Sequence, residues 1–178
     1  MGRKPTITRD HLLDIAEDIV RSDGAKALTI DALARSAGIS KGGVQYSFAS
    51  KDDLVRALIE RWTKQFDEML KEDEPTTAVA FVQRYIQAMR ASQEAMNAKM
   101  AGLMIAYIRN PENLREIREW YRAMFERLGA RTQDAQASRV AFLSVEGLFL
   151  MRIVGIDFHG AWMALLDDVE STLKRLTG

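Results

Sequence analysis

The residues of this chain best suited to chemistry are Lys41, Gly42, Gly43, Gln45, Tyr46 and Ser47, a polar run broken only by Val44. If the run is helical, Val44 and Phe48 turn inward and the polar set faces out. Such a face can bond base edges and phosphates. Two glycines in a first helical turn cost about 1 kcal/mol each relative to alanine, and close approach of the backbone to a ligand surface would offset that. Other chemistry is poorly supplied. With no cysteine, thiolate metal sites, disulfides and cysteine catalysis are excluded together. His11 and His159 lack metal-ligand spacing, and Asp167-Asp168 reads as a solvated face. No nucleophile is paired with a base, so neither catalytic residues nor a metal or other cofactor is expected, and the chain does not read as an enzyme.

The polar run needs elements that hold it out, and the flanking sequence supplies them. Thr8, Thr29 and Ser40 each read as an N-cap, able to accept from a free N–H of a first helical turn. Each sits between apolar partners: Ile7 with Leu12, Leu28 with Leu33, Ile39 with Val44. That is a hydrophobic staple three times over. Leu12, Ile15, Ala16, Ile19 and Val20 form one face of a first helix, which Gly24 stops. Ile30, Leu33, Ala34 and Ala37 form the next, stopped by Gly38, and small Ala34 and Ala37 allow a close helix crossing. Ser50 with Asp53 opens a long fourth helix carrying Leu54, Val55, Leu58, Ile59, Trp62, Phe66, Met69 and Leu70. Helix, glycine turn, helix is the arrangement that places a helix in the DNA major groove.

Bulk charge gives no help. The 178 residues hold 25 Lys and Arg against 25 Asp and Glu. Residues 1–51 carry eight basic against six acidic side chains, a small excess that Arg3 and Lys4 extend as a basic arm. Nucleic-acid binding must therefore rest on local geometry. The opening MGRKPTITRD is no secretory leader, and the longest apolar stretch, Val140 to Ile156, is too short to span a bilayer. A soluble cytoplasmic protein without membrane contact is expected.

The charged run Lys71-Glu72-Asp73-Glu74-Pro75 breaks the pattern. Val82, Tyr85, Ile86 and Met89 mark a helix from near Thr77; the sequence leaves open whether residues 77–109 form one helix or two. Pro111 starts another, with Gly129 closing it. Only Ser144, Glu146, Gly147, Arg152 and Gly155 interrupt the apolar Val140–Ile156 stretch. A helix apolar on nearly all sides is buried on nearly all sides. Glu146 and Arg152, unpaired there, would be expensive, and each needs a partner in a dimer interface, in a ligand pocket or at a solvated edge. A last helix carries Trp162, Leu165, Leu166, Val169, Leu173 and Leu176 close to heptad spacing.

The arrangement Thr29-Ile30…Ala34…Ala37-Gly38-Ile39-Ser40-Lys41-Gly42…Tyr46…Phe48…Ser50-Lys51…Leu54 resembles the tetracycline-repressor (TetR) family of bacterial transcription regulators. The likeness is specific over roughly residues 8 to 56 and architectural beyond. It implies an all-α fold, with a three-helix DNA-binding module (residues 1–56) and a helical bundle (residues 57–178) that dimerises and binds a small effector. DNA contacts then fall to Thr29, Ser40, Lys41, Gly42, Gly43, Gln45, Tyr46, Ser47 and Lys51, the last as a phosphate contact. Two departures stand out: Ser47 replaces a histidine of many members, and Gln45 a common aromatic or leucine. The operator should therefore be read by its own code.

The resemblance further implies a homodimer on a palindromic double-stranded operator, most simply as a repressor. The last two helices would form the interface through Phe149, Arg152, Ile153, Trp162, Leu165, Leu166, Val169 and Leu173. An unidentified small apolar or amphipathic effector would meet Met100, Met104, Tyr107, Trp120, Met124 and Glu146. Met96, Met100 and Met104 share helical spacing, which suits an adaptable pocket and equally suits ordinary core packing. Rival readings are control by a protein partner instead of a small ligand, and a helical-bundle enzyme.

Overall fold

A computed structural model describes residues 7–71, 75–92, 98–156 and 161–178, without the side chains of 98–101. The expected caps form. Thr8 Oγ1 accepts from the His11 N–H at 3.2 Å, Thr29 Oγ1 from Ala32 at 3.0 Å and Ser40 Oγ from Gly43 at 3.1 Å. They start α1 (Arg9–Asp23), α2 (Ile30–Ala37) and α3 (Lys41–Ser47). Gly38 ends α2 at φ +66° and ψ +28°, the left-handed conformation that turns the chain into α3. The Asp53 N–H donates to Ser50 Oγ at 3.1 Å, and Asp53 Oδ2 accepts from Ala49 at 3.0 Å, opening α4 (Lys51–Lys71).

Five further helices follow: α5 (Ala78–Ala91), α6 (Ala98–Ile108), α7 (Pro111–Arg127), α8 (Gln133–Ile153) and α9 (Trp162–Thr177). The described residues contain no strand. The described part of residues 77–109 holds α5, capped by Ser92, and α6, and residues 93–97 between them lie outside the described residues. Gly155, at φ +79°, lies just beyond α8 and turns the chain away from it. No helix among the described residues is long and apolar enough to cross a membrane.

Two apolar clusters organise the helices. The first joins Leu12, Ala16, Leu33, Val44, Phe48, Leu54 and Leu58, and it also takes in Leu103 and Tyr107 of α6. The three-helix module does not close its core alone. Gly102 permits this docking, since a Cβ there would lie 3.1 Å from Ala25 Cβ. The second cluster gathers α5, α8 and α9 around Phe81, Phe142 and Leu166, with Leu70 of α4. The boundary expected between residues 56 and 57 falls inside α4, whose two ends enter different clusters.

α8 is not covered on every side by its own chain. Val140, Leu143, Leu150, Met151 and Val154 are exposed, with Leu143 at 53%. With Gly147 between Leu143 and Leu150, positions 140, 143, 147, 150 and 154 follow steps of three and four residues and make one continuous stripe, with Met151 beside it.

Candidate functional site

α3 presents its polar face as the sequence predicts. Val44 and Phe48 are fully buried, and the Arg9 guanidinium lies 4.9 Å from the Phe48 ring centroid. With the helix anchored on that side, Gln45 is exposed and Tyr46 is 94% exposed. A bare tyrosine on a seven-residue helix gains nothing from its own fold and is free to contact something else. Lys41, Gly42, Gly43, Thr29 and Lys51 are exposed as well, and Ser47 is half-buried.

Several of these groups also serve the fold. Lys41 Nζ lies 3.1 Å from Asp31 Oδ1, tying α3 to α2. The hydroxyls of Thr29 and Ser40 accept capping bonds, which leaves each O–H proton to donate elsewhere. The two glycines differ. A Cβ on Gly42 would meet nothing closer than Ser40 Oγ at 3.9 Å, so nothing internal requires glycine there. A Cβ on Gly43 would come within 3.3 Å of Ile39 Cδ1, which gives that glycine a packing reason.

The effector residues expected from sequence separate into two groups. Met104 and Tyr107 belong to the first cluster, where the Tyr107 O–H donates to Glu116 Oε2 at 3.0 Å. Burial, with that bond second, pushes the Tyr107 phenol up to about 12. Trp120, Met124 and Glu146 lie with the second cluster. The Met100 side chain, Met96, His159, Arg3 and Lys4 lie outside what is described.

Glu146 has partners that sequence reading missed. The Tyr85 O–H from α5 donates to its Oε1, and the Tyr121 O–H from α7 donates to its Oε2. Both tyrosines pack on Phe142, with ring centroids 5.0 and 6.4 Å away. Burial raises the Glu146 carboxyl above its usual range, opposed by the two phenol bonds. Burial and the neighbouring carboxylate likewise raise both phenols. The only advance signal was an acid in the mostly apolar Val140–Ile156 stretch. Arg152 stacks over Trp162 at 5.5 Å.

The residues expected at the dimer interface divide by burial in the single chain. Ile153, Trp162, Leu166 and Leu173 are buried within this chain, Leu166 completely, and Phe149 and Val169 pack against the same core. Of the expected set, Leu165 is exposed and Arg152 partly so. Beside the α8 stripe runs an open groove of about 200 Å³ between α8 and α9, lined by Val140, Ser144, Val169, Thr172 and Leu176 among others.

An exposed polar helix following a left-handed glycine turn, mounted on a helical bundle, defines a helix-turn-helix protein. Residues 12–58 match the family model for bacterial regulatory proteins of the tetR family, and residues 79–178 match the tetracyclin repressor-like C-terminal domain. The chain belongs to the tetR family of regulators. It is similar to the HTH-type transcriptional regulator UidR of Escherichia coli (strain K12), with 26% identity over 132 residues. That match covers 72% of this chain and 66% of UidR, so the chain spans about two thirds of that relative. The fold is shared with a transcriptional regulator from Rhodococcus sp. RHA1, at TM-score 0.69 and 17% identity, covering 96% of both chains. A TetR/AcrR-type regulator from Aquifex aeolicus VF5 gives TM-score 0.67 at 15% identity, covering 94% of this chain and 98% of that one.

Proposed function

We propose that the protein is a ligand-responsive repressor that binds a palindromic operator as a homodimer in the bacterial cytoplasm. The observation that carries this reading is the exposure of Gln45 and Tyr46 on a helix anchored from behind by Val44 and Phe48. Gln45 reads a base edge, with bidentate bonding to adenine its natural geometry. Tyr46, Ser47, Lys41 and Lys51, with the hydroxyls of Thr29 and Ser40 and the backbone of Gly42 and Gly43, meet phosphates and groove walls.

The dimer face in this proposal is the α8 stripe of Val140, Leu143, Leu150 and Val154 with Leu165 and Leu176 of α9, all exposed in the single chain. Gly147, in the middle of the stripe with open space beside it, lets two copies of α8 cross closely. An effector held in the second cluster shifts α6, whose Leu103 and Tyr107 sit in the core of the reading module. The two modules then lose their spacing and DNA is released.

Selection from random duplexes tests the reading. It should return an inverted repeat with half-site centres about 34–36 Å apart, or a multiple of that. Recovery of no symmetric motif would contradict it.

A further inference from the structure

The second apolar cluster holds a carboxyl group that no described Lys or Arg pairs with. Each carboxylate oxygen of Glu146 accepts a phenol O–H, from Tyr85 and from Tyr121. A second carboxylate borders the same rings: the Trp120 indole N–H donates to Asp67 Oδ1 at 3.2 Å. Trp120 packs edge-on to Tyr121 at 5.0 Å and tilts against Tyr85 at 6.4 Å. Among the described residues, no Lys or Arg forms an ion pair with Glu146 or Asp67. Elsewhere the chain pairs its partly buried carboxylates with arginine, as Arg61 does for Glu17 and Arg90 for Glu170.

Aromatic ring faces carry negative potential and attract cations, more strongly when water is excluded. Glu146, Asp67, Trp120 and Tyr121 are only partly buried, around the buried Tyr85. An anion would meet two carboxylates and the negative faces of the rings. A neutral hydrogen-bond donor could use a remaining lone pair but would bring no charge to either carboxylate. A diffuse organic cation needs no directional bond and supplies the missing charge.

We infer that Glu146, Asp67, Trp120, Tyr85 and Tyr121 form a binding site for an apolar organic cation, a tertiary or quaternary ammonium. The inference rests on the ligand-responsive reading above and names the chemical class of that ligand. Burial raises the proton affinity of Glu146, against the two phenol bonds.

The test is calorimetric titration of the full chain with three probes of similar shape: benzyltrimethylammonium, uncharged neopentylbenzene and anionic phenylmethanesulfonate. The wild-type protein should bind the cation at least about tenfold more tightly than the neutral probe, and the anion more weakly than either. Glu146→Gln should weaken the cation by about tenfold or more and leave the neutral probe unchanged. Equal affinity for cation and neutral probe in the wild-type protein would overturn the proposal, a comparison that needs no variant to fold. So would an unchanged cation affinity in a folded Glu146→Gln protein. A gel shift on the selected operator without any probe separates the two readings. Intact operator binding without preference for the cation sinks this inference alone. Preference for the cation without any operator binding sinks the regulatory reading and leaves the site standing.

Discussion

Tyr85 on α5 and Glu146 on α8 are 61 residues apart in sequence and joined by a phenol-to-carboxylate hydrogen bond. With Tyr121 on the other oxygen, the bond ties three helices through one carboxyl group whose affinity for a proton is raised by burial. The bonds orient the group; they do not remove the cost of ionising it there.

That cost sets a pH dependence. At low pH Glu146 is protonated in both folded and unfolded chains. As pH rises through the ordinary carboxyl range the unfolded chain ionises first, and stability falls until the folded carboxyl ionises too. Glu146→Gln removes this fall. In urea titrations from pH 4 to pH 8, the stability difference between variant and wild type should move in favour of the variant as pH rises and level off once the folded carboxyl has ionised. A difference that stays constant, or moves the other way, would show that Glu146 is not held above its usual range.

Gly38 adopts φ +66° with nothing within 4 Å of the place a Cβ would occupy, so any cost of a side chain there is backbone strain alone. Gly38→Ala should destabilise by about 1–2 kcal/mol, and Gly38→Asn by less, because asparagine tolerates this conformation. Denaturant midpoints of the two variants check the order. An alanine variant as stable as wild type would mean that the turn is free to relax.

The proposed interface separates two leucines. Leu143 is 53% exposed on α8, whereas Leu166 on α9 is fully buried. Leu143→Glu should leave circular dichroism and thermal unfolding of the isolated chain close to wild type while light scattering reports a monomer. Leu166→Glu buries a carboxylate in the second cluster and should prevent folding. A dimeric Leu143→Glu protein would place the interface elsewhere.

Much of the reading module was legible because its determinants are local. Thr8, Thr29 and Ser40 each cap a bond three residues away, and Gly38 acts at its own φ. The completion of that module's core by Leu103 and Tyr107 depends on contacts far along the chain, which no local pattern encodes. Orientation of the last two helices was unreadable for another reason. α8 has apolar residues all round, and α9 carries leucines on both its inner side (Leu166, Leu173) and its outer side (Leu165, Leu176). Hydrophobicity alone could not tell a core contact from a surface awaiting a partner. Glu146 signalled an unusual site by its type, but nothing local in the sequence joined Tyr85 and Tyr121 to it; the fold brings them together.

Lys51, exposed at the start of α4, should contribute charge without sequence preference. Lys51→Ala should weaken all duplexes alike and reduce the slope of log affinity against log salt by about one. Selective loss at one base position, with the slope unchanged, would make Lys51 a reader of sequence.

The central claim, that α3 reads DNA, is tested most directly by repeating the duplex selection and affinity measurement with Gln45→Ala and Tyr46→Ala. Both side chains are exposed, so each variant should unfold within about 0.5 kcal/mol of wild type. Gln45→Ala should relax the preference at one position of each half-site, by about 1–3 kcal/mol. Tyr46→Ala should weaken operator binding about tenfold or more, a loss on the order of 1.4 kcal/mol. If both variants select the wild-type motif and bind it with wild-type affinity, the DNA-reading surface is not α3.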